Sequence, residues 1–186
     1  MTLRPIQPAD AMDLVPFFQE SDMIRLLGLP GPRDEGFLRN LIQSASEDPG
    51  AVYDTIEYDG SVVGYAFLDH IDISHHHATE TGVMVGPREL WDRKLGRAAF
   101  GTLLEFGFDV LHLHRASLAV LEENTRAIRS YEALGFRHEG RRSEALLLEE
   151  GWEDALLMGV IDRELNRIAV AEAVEAVVNF SRTQEI

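Results

Sequence analysis

The clearest chemical pattern lies in residues 121–136, LEENTRAIRSYEALGF. Asn124, Ala127 and Tyr131 follow one another at intervals of three and four residues, which places their side chains on one face of a helix. Asn is a typical helix N-cap, and Gly135 is a typical helix end. A helix that only fills a core would bury leucines on this face rather than an amide, a methyl group and a phenol. The pattern therefore favours a role other than core packing.

A second chemical pattern lies in residues 83–100, VMVGPRELWDRKLGRAAF, which read as a strand, a loop and the start of a helix. The first amides of a helix have no partner within it, and the helix dipole places partial positive charge there. The segment is therefore a candidate anion site. Gly96 and Ala98 would let a phosphate approach the backbone, and three basic side chains add charge: Arg93, Lys94 and Arg97. An ordinary basic helix start with a packing glycine explains the same residues equally well.

Together the two patterns resemble the GNAT acyltransferase superfamily, and most closely its ribosomal-protein N-acetyltransferase (Rim-type) subfamily. The resemblance rests on the run EENTRAIRSYEALGF, on W-x-x-x-L-G-x-x-A at residues 91–99, and on the strand ETGVMV at residues 80–85. The tail GWEDALLMGV, residues 151–160, also resembles the closing hairpin of that subfamily. The similarity covers about residues 1–162 and is most specific between 80 and 160.

This resemblance implies that acetyl-coenzyme A is the cosubstrate and that no metal is needed. Amides of the loop after the fourth strand would hold the pyrophosphate, a role that falls here to Arg93, Lys94, Leu95, Gly96, Arg97 and Ala98. The backbone of Met84 and Val85 would pair with the pantetheine arm. Asn124 would hydrogen-bond the same arm, Ala127 would leave room for it, and Tyr131 would place its hydroxyl near the sulfur.

The register of the phosphate loop is open to two alignments. The family loop usually reads Q/R-x-x-G-x-G/A, and residues 93–98 match this pattern literally as R-K-L-G-R-A. An alignment anchored on Trp91 and on the following helix instead places Lys94 at the first glycine and Gly96 at the second. We prefer the second register because it keeps the length of the helix.

The resemblance also implies a direct transfer to an amine. An amine with a pKa near about 10.4 is mostly protonated at neutral pH and must lose a proton before it attacks the thioester. Glu80 is the candidate base, directly or through water, and Tyr131 is the candidate donor to the leaving thiolate. Each has a plainer interpretation: Glu80 as a solvated carboxylate, and Tyr131 as a core residue. The chain has no cysteine, which favours direct attack in a ternary complex.

Composition limits the other function classes. The net charge of −15 argues against nucleic-acid binding, whereas an acidic surface suits cationic amines or serves solubility alone. The absence of cysteine excludes disulfides and thiolate metal sites and predicts a cytoplasmic protein. No apolar run is long enough to predict a membrane span, and the first residues do not resemble a signal peptide. His75, His76 and His77, near His70, favour an exposed or acceptor-side segment over a metal site.

The remaining residues predict the elements that position these patterns. The predicted order is β-α-α-β-β-β-α-β-α-β-β, with the first helix at about residues 8–20. Asp59-Gly60 and Glu150-Gly151 read as hairpin turns. This order predicts an α+β fold, an α/β sandwich in which helices flank a mixed, mostly antiparallel central sheet.

Two points of organisation follow from these elements. Residues 1–162 form the predicted acetyltransferase domain, and residues 163–186 form a helical extension that packs either on the domain or on the partner subunit of a homodimer. The predicted function is acetyl transfer from acetyl-CoA to a small-molecule or peptide amine. The alternative is a non-catalytic acyl-CoA-binding sensor or assembly module with the same fold.

Overall fold

A single seven-stranded sheet organises the chain. The computed structural model describes the backbone of residues 1–184 and the side chains of residues 1–179. The strands are β1 (Thr2–Pro5), β2 (Val52–Tyr58), β3 (Ser61–Asp72), β4 (His77–Val85), β5 (Arg115–Leu121), β6 (Arg137–Leu148) and β7 (Gly151–Ile161). Their order in the sheet is β1-β2-β3-β4-β5-β7-β6.

Strands β4 and β5 pair over only part of their length, which leaves an opening in this sheet. Every other neighbouring pair is antiparallel, whereas β4 and β5 run parallel. They pair only at His77 with Arg115 and at Ala78 with Ala116, close to their first residues. Beyond these residues β4 and β5 have no further ladder pairs with each other, although each still pairs with its other neighbour, so their C-terminal halves are separated by a cleft.

In residues 1–184 six α-helices cover the two faces of the sheet. They are α1 (Ala11–Leu14), α2 (Ser21–Leu26), α3 (Glu35–Glu47), α4 (Leu95–Asp109), α5 (Thr125–Ala133) and α6 (Arg167–Gln184). One core joins α1 and α3 to β4 through residues such as Leu14, Leu38 and Met84. The core on the other face is centred on α4, where Phe100 and Leu103 are almost completely buried. In the described residues no helix is both long enough and apolar enough to cross a membrane.

The predicted fold class is confirmed, but the first predicted helix is wrong. Residues 8–20 do not form one helix: two 3-10 segments, Pro8–Asp10 and Val15–Gln19, flank the four-residue α1. Pro16 lacks a backbone N–H and so cannot continue the α-helical ladder. The short α2 that follows was not predicted. The hairpin at Asp59-Gly60 is confirmed, since both residues have the positive φ angles, 51° and 74°, of a tight two-residue turn.

The C-terminal helix packs on its own domain. Its residues Val170, Ala173 and Val177 are buried in the two cores that surround α4. A Cβ atom built on Gly101 of α4 would lie 2.7 Å from Val170 Cγ2, so the two helices approach closely. Of the two positions that the sequence left open for this helix, the described residues show the one against the domain.

Candidate active site

The separation of β4 from β5 produces a cavity of about 650 Å³. Its walls are the C-terminal parts of these two strands, the first turns of α4 and α5, and the end of α2. Because both helices begin at the same opening, their N-terminal amides and side chains face one space. The two patterns found in the sequence therefore meet in one site.

The start of α4 is an uncapped helix N-terminus. Lys94 at the N-cap position makes no side-chain cap hydrogen bond. The first intrahelical bond runs from the Ala98 amide to the Lys94 carbonyl, at 2.8 Å. The amides of Leu95, Gly96 and Arg97 precede this bond, and all three residues line the cavity. Unpaired amides at a helix start are the groups to which anions bind in proteins, and the phosphate site that we predict lies at these three amides.

Backbone geometry at this loop agrees with the preferred register. Lys94 has φ 61° and ψ 6°, the left-handed conformation that glycine adopts most easily. This is expected if Lys94 occupies the position of the first glycine of the family loop. The protein itself does not require glycine at position 96. Its φ angle is not in the left-handed region, and an added Cβ would lie 3.5 Å from the nearest atom, on Val85, which is an ordinary contact. A ligand that approaches this backbone closely would explain why the residue is glycine.

Two members of the predicted phosphate loop do not reach the cavity. Ala98 was predicted to offer its amide, but that amide is already bonded within the helix, and its side chain is completely buried. Arg93 is exposed, and its Nε donates to the carbonyl of Glu89 at 2.9 Å. Because the Ala98 amide is bonded within α4 and the Arg93 side chain folds back along the loop, the phosphate contacts that we predict rest on the amides of Leu95, Gly96 and Arg97.

Positive charge surrounds the cavity in spite of the acidic composition. The basic residues that line it are Lys94, Arg97, Arg126 and Arg129, against the single carboxylate of Asp92 among the described residues. The Nε atom of Arg97 is buried and has no hydrogen-bond partner in the part of the chain that the structure describes. A buried donor without a partner is uncommon and is satisfied when an acceptor binds beside it. Phosphate oxygens are suitable acceptors for it.

The end of β4 offers fewer free backbone groups than the sequence suggested. The Met84 carbonyl faces β3, where a Cβ on Gly64 would meet it at 2.0 Å. The Val85 carbonyl accepts a hydrogen bond of 2.8 Å from the indole Nε1 of Trp91. Both residues line the cavity, but these contacts direct the Met84 carbonyl into the sheet. The backbone contribution that we predict for this strand therefore rests on the amide of Val85.

At the start of α5, Asn124 has two protein partners. Its side-chain oxygen accepts from the Ala127 amide at 3.2 Å, which caps the helix as predicted. Its Nδ2 donates to the Leu26 carbonyl at 3.4 Å and so links α5 to α2. Asn124 and Ala127 both line the cavity. The side-chain amide of Asn124 therefore fixes the position of α5 relative to α2, in addition to any contact with a ligand.

Tyr131 combines a buried ring with a hydroxyl that no side chain or backbone group of the described residues contacts by a hydrogen bond. The residue is 7% exposed, and its ring packs edge-on against Phe100 at 5.6 Å and beside Phe136 at 5.7 Å. It lines the cavity, and in the described part of the chain no group hydrogen-bonds its hydroxyl. Burial raises the pKa of the phenol to about 12. The hydroxyl therefore keeps its proton near pH 7 and can donate it to a ligand atom.

Glu80 lies next to the cavity and not in its wall. Its side chain is 68% exposed, with the His70 Nδ1 atom 3.8 Å from a carboxylate oxygen. Glu80 lies on the same sheet face as Gly82 and Phe67, which do line the cavity. Two residues along a strand correspond to about 7 Å, so a bridging water is needed for Glu80 to act at the cavity. Asp69 pairs with Glu80 across the strands and forms a second carboxylate there.

The histidine run lies at the turn before β4 and is bonded locally. His75 Nδ1 lies 2.7 Å from Asp72, and His76 Nδ1 lies 2.9 Å from the His112 carbonyl. Among the described residues, no three potential metal ligands converge.

Phe67 and Arg126 are among the cleft residues that the sequence patterns did not indicate. Phe67 lines the wall between β3 and β4, and nothing in its strand pattern separates it from a core aromatic. Arg126 lines the cavity in the first turn of α5. A cation is unfavourable at a helix N-terminus, and this was the signal that could have identified it.

Comparison with known structures identifies the fold. The chain superposes on the crystal structure of spermidine N-acetyltransferase from Vibrio cholerae in complex with CoA and spermine with a TM-score of 0.79, covering 88% of this chain and 96% of that one at 21% identity. A putative acetyltransferase from T. thermophilus gives a TM-score of 0.75 at 24% identity, over 93% and 91% of the two chains. The chain therefore has the same fold as these two structures.

Comparison of sequences identifies the family. Residues 1–137 match the model of the acetyltransferase (GNAT) domain, which is more than half of the 186 residues. The chain therefore belongs to the GNAT acetyltransferase family. It is 29% identical over 110 residues to spermidine N(1)-acetyltransferase of Escherichia coli (strain K12), which covers 59% of this chain and 58% of that protein. It is 25% identical over 145 residues to the uncharacterized N-acetyltransferase p20 of Bacillus licheniformis, over 75% and 80% of the two chains. The chain thus matches little more than half the length of its spermidine-acetylating relatives.

GNAT acetyltransferases use acetyl-CoA, and the residues of this cleft fit that molecule. The uncapped start of α4 and the unpaired Nε of Arg97 suit phosphate groups. Ala127 and Gly96 provide small surfaces along the walls, and the Tyr131 hydroxyl is available further along the same cavity.

Proposed function

We propose that this chain transfers the acetyl group of acetyl-CoA to a primary amine within a ternary complex. The observation that carries the proposal is the position of the Tyr131 hydroxyl. Among the described residues it has no hydrogen-bond partner, and Tyr131 lines the same cavity as the uncapped amides of α4. A phosphate-binding helix start and a proton donor in one cleft are what the reaction requires of the protein.

Some residues of the cleft bind acetyl-CoA, and others take part in proton transfer. Amides of Leu95, Gly96 and Arg97 hold the phosphates, and Val85, Asn124 and Ala127 position the pantetheine arm. The Tyr131 hydroxyl donates a hydrogen bond to the departing thiolate, which is a weaker base than the phenolate. Glu80 accepts the proton of the attacking amine through a water molecule. The exposed position of Glu80 supports this indirect route over direct contact.

We propose a small cationic amine as the acceptor. The relatives named as spermidine acetyltransferases support this class. Asp69 and Glu80 place two carboxylates on the sheet face that continues from Phe67 in the cavity wall. The Asp69 carboxylate is held by the Tyr53 hydroxyl at 2.7 Å and is therefore positioned for a second ammonium group. The net charge of −15 attracts such cations and disfavours nucleic acid.

Three finer expectations from the sequence belong to this proposal. A protein N-terminal amine, as in the Rim-type subfamily, is the second candidate acceptor. A cytoplasmic location is consistent with a chain that has no cysteine. The homodimer stays a prediction, and since α6 is buried against α4, the interface lies elsewhere than on the buried side of α6.

The test is a thiol-release assay with identification of the product by mass spectrometry. The protein is incubated with acetyl-CoA in separate reactions that each contain one acceptor: spermidine, spermine, or a short peptide that has a free N-terminus. A further reaction contains no acceptor. We expect amine-dependent thiol release and a monoacetylated polyamine. Acetylation of the peptide alone would favour the Rim-type acceptor. Binding of acetyl-CoA without turnover on any amine would favour the non-catalytic binding module, and thiol release without an acceptor would indicate hydrolysis.

A further inference from the structure

Trp91 connects the end of β4 to the first turn of α5. Its indole Nε1 donates to the Val85 carbonyl at 2.8 Å, which ties the ring to the strand. The guanidinium carbon of Arg126 lies 3.4 Å from the ring centroid, and that of Arg88 lies 5.3 Å from it. Trp91 and Arg126 both line the cavity. The tryptophan therefore holds one arginine of α5 in a fixed place at the mouth of the cleft.

The two arginines that contact Trp91 differ in their charge partners. Arg88 forms ion pairs with Asp22 at 2.7 Å and Glu20 at 3.4 Å. Arg126 forms neither an ion pair nor a hydrogen bond with any of the described residues. Asp92 is near enough to raise its pKa, but it is more than 4.0 Å away.

The unpaired charge of Arg126 is partly removed from water. Burial lowers the pKa of its guanidinium below the ordinary value, which is the signature of a desolvated cation. A half-buried cation without an anion is unfavourable. The chain has 32 acidic residues against 17 Lys and Arg, and Arg25, for comparison, contacts three carboxylates. An arginine left unpaired in such a chain indicates an anion that arrives from outside.

A second, independent observation lies on the opposite wall of the cavity. The Nε atom of Arg97 in α4 is buried and has no hydrogen-bond partner among the described residues. Arg97 follows the free amides of Leu95 and Gly96, so its side chain and these amides belong to one helix start. Two unpaired guanidinium groups on two helices therefore border one cavity.

We propose that Arg126 binds a phosphate group of the nucleotide half of CoA and that Trp91 is its positioning residue. The proposal rests on the proposed function, since it assigns a further contact to the same cleft. Stacking uses the face of the guanidinium plane and leaves the N–H groups at its edge free to donate. Trp91 thus fixes the orientation of Arg126 without consuming its hydrogen bonds. The phosphate is either in the pyrophosphate or at the 3′ position of the ribose.

The test compares the binding of CoA and of 3′-dephospho-CoA by calorimetry. It uses the wild-type chain, Arg126→Gln, and the matched control Arg163→Gln, which removes an exposed arginine that does not line the cavity. We expect Arg126→Gln to raise the Kd for CoA by about 10- to 100-fold, the range for a charge-assisted hydrogen bond, and the control to leave it unchanged. If the loss persists with 3′-dephospho-CoA, Arg126 binds the pyrophosphate; if it disappears, Arg126 binds the 3′-phosphate. An unchanged Kd for CoA in Arg126→Gln would overturn the proposal.

A phosphate-free donor separates this contact from a general structural role. With S-acetylpantetheine as the acetyl donor, we expect Arg126→Gln and wild type to have the same kcat/KM. An equal loss with both donors would mean that Arg126 only shapes the cleft, and would also overturn the proposal. If the wild-type chain itself fails to bind CoA, the proposed function fails with it, so the two failures are distinguishable.

The role of Trp91 has its own pair of variants. Trp91→Leu removes the ring, and we expect the Kd for CoA to rise as in Arg126→Gln, with little further loss when both changes are combined. Trp91→Phe keeps a ring to stack on and should recover most of the affinity. Fully additive losses in the double variant, or no loss in Trp91→Leu, would show that Trp91 does not position Arg126.

Discussion

Replacement of Tyr131 by phenylalanine separates the catalytic role of its hydroxyl from the structural role of its ring. The ring contacts with Phe100 and Phe136 remain after the change. The hydroxyl has no hydrogen-bond partner in the described part of the chain, so its removal leaves no protein group unsatisfied. We therefore expect the free energy of unfolding to change by less than about 0.5 kcal/mol. Loss of the proton donor should lower kcat by about 10²- to 10⁴-fold, or about 3–5 kcal/mol of transition-state stabilisation.

The assay measures thiol release at saturating acetyl-CoA and amine, beside urea unfolding of the same samples. Tyr53→Phe is the stability control, because the Tyr53 hydroxyl donates to Asp69 at 2.7 Å and burial raises its pKa. Its loss should cost about 1–3 kcal/mol, since it deprives a carboxylate of a partner. A Tyr131→Phe variant with kcat within about threefold of wild type would refute the donor role. A loss of stability equal to that of Tyr53→Phe would refute the claim that the Tyr131 hydroxyl is free.

Three further predictions test the cleft and its support. Gly96→Ala should stabilise the helix by up to about 1 kcal/mol but raise the Kd for acetyl-CoA at least about tenfold, because the methyl group blocks the approach of a phosphate; calorimetry that shows an unchanged Kd would contradict a close approach. Burial raises the pKa of Tyr131 to about 12, above the usual value near 10, so the folded chain retains a proton that the unfolded chain releases; the contribution of this residue to the free energy of unfolding should fall by about 2 kcal/mol as pH rises from 10 to 12, and Tyr131→Phe should lose about that much less than wild type in unfolding curves over this range. Val170→Ala should cost about 1–3 kcal/mol in urea unfolding without changing KM, because Val170 fills the contact between α6 and α4; a neutral effect would mean that α6 is not part of the core.

The sequence predicted those parts of the fold that depend on local pattern. The seven strands and their order along the chain follow from alternation and turn signals, and the Asp59-Gly60 turn follows from the backbone freedom of these residues. The spacing of Asn124, Ala127 and Tyr131 correctly indicated a common face, because helical periodicity fixes direction without knowledge of the partner. All three residues line the cavity.

The features that the sequence did not indicate depend on the exact helix boundary or on tertiary contacts. Ala98 was one residue too far into the helix for its amide to be free, and helix boundaries cannot be read from sequence to one residue. The position of Glu80 outside the cavity wall depends on how far β4 and β5 diverge. The stacking of Arg126 on Trp91 joins residues 35 positions apart, and no local pattern contains it.

The central claim is that the cleft between β4 and β5 binds acetyl-CoA, and calorimetric titration with acetyl-CoA tests it most directly. The measurement compares wild type with Gly96→Ala, whose added methyl group the protein itself accommodates. We expect one site per chain with micromolar or tighter affinity in wild type, and clearly weaker binding in the variant. The absence of binding in wild type, or equal binding in both chains, would contradict it.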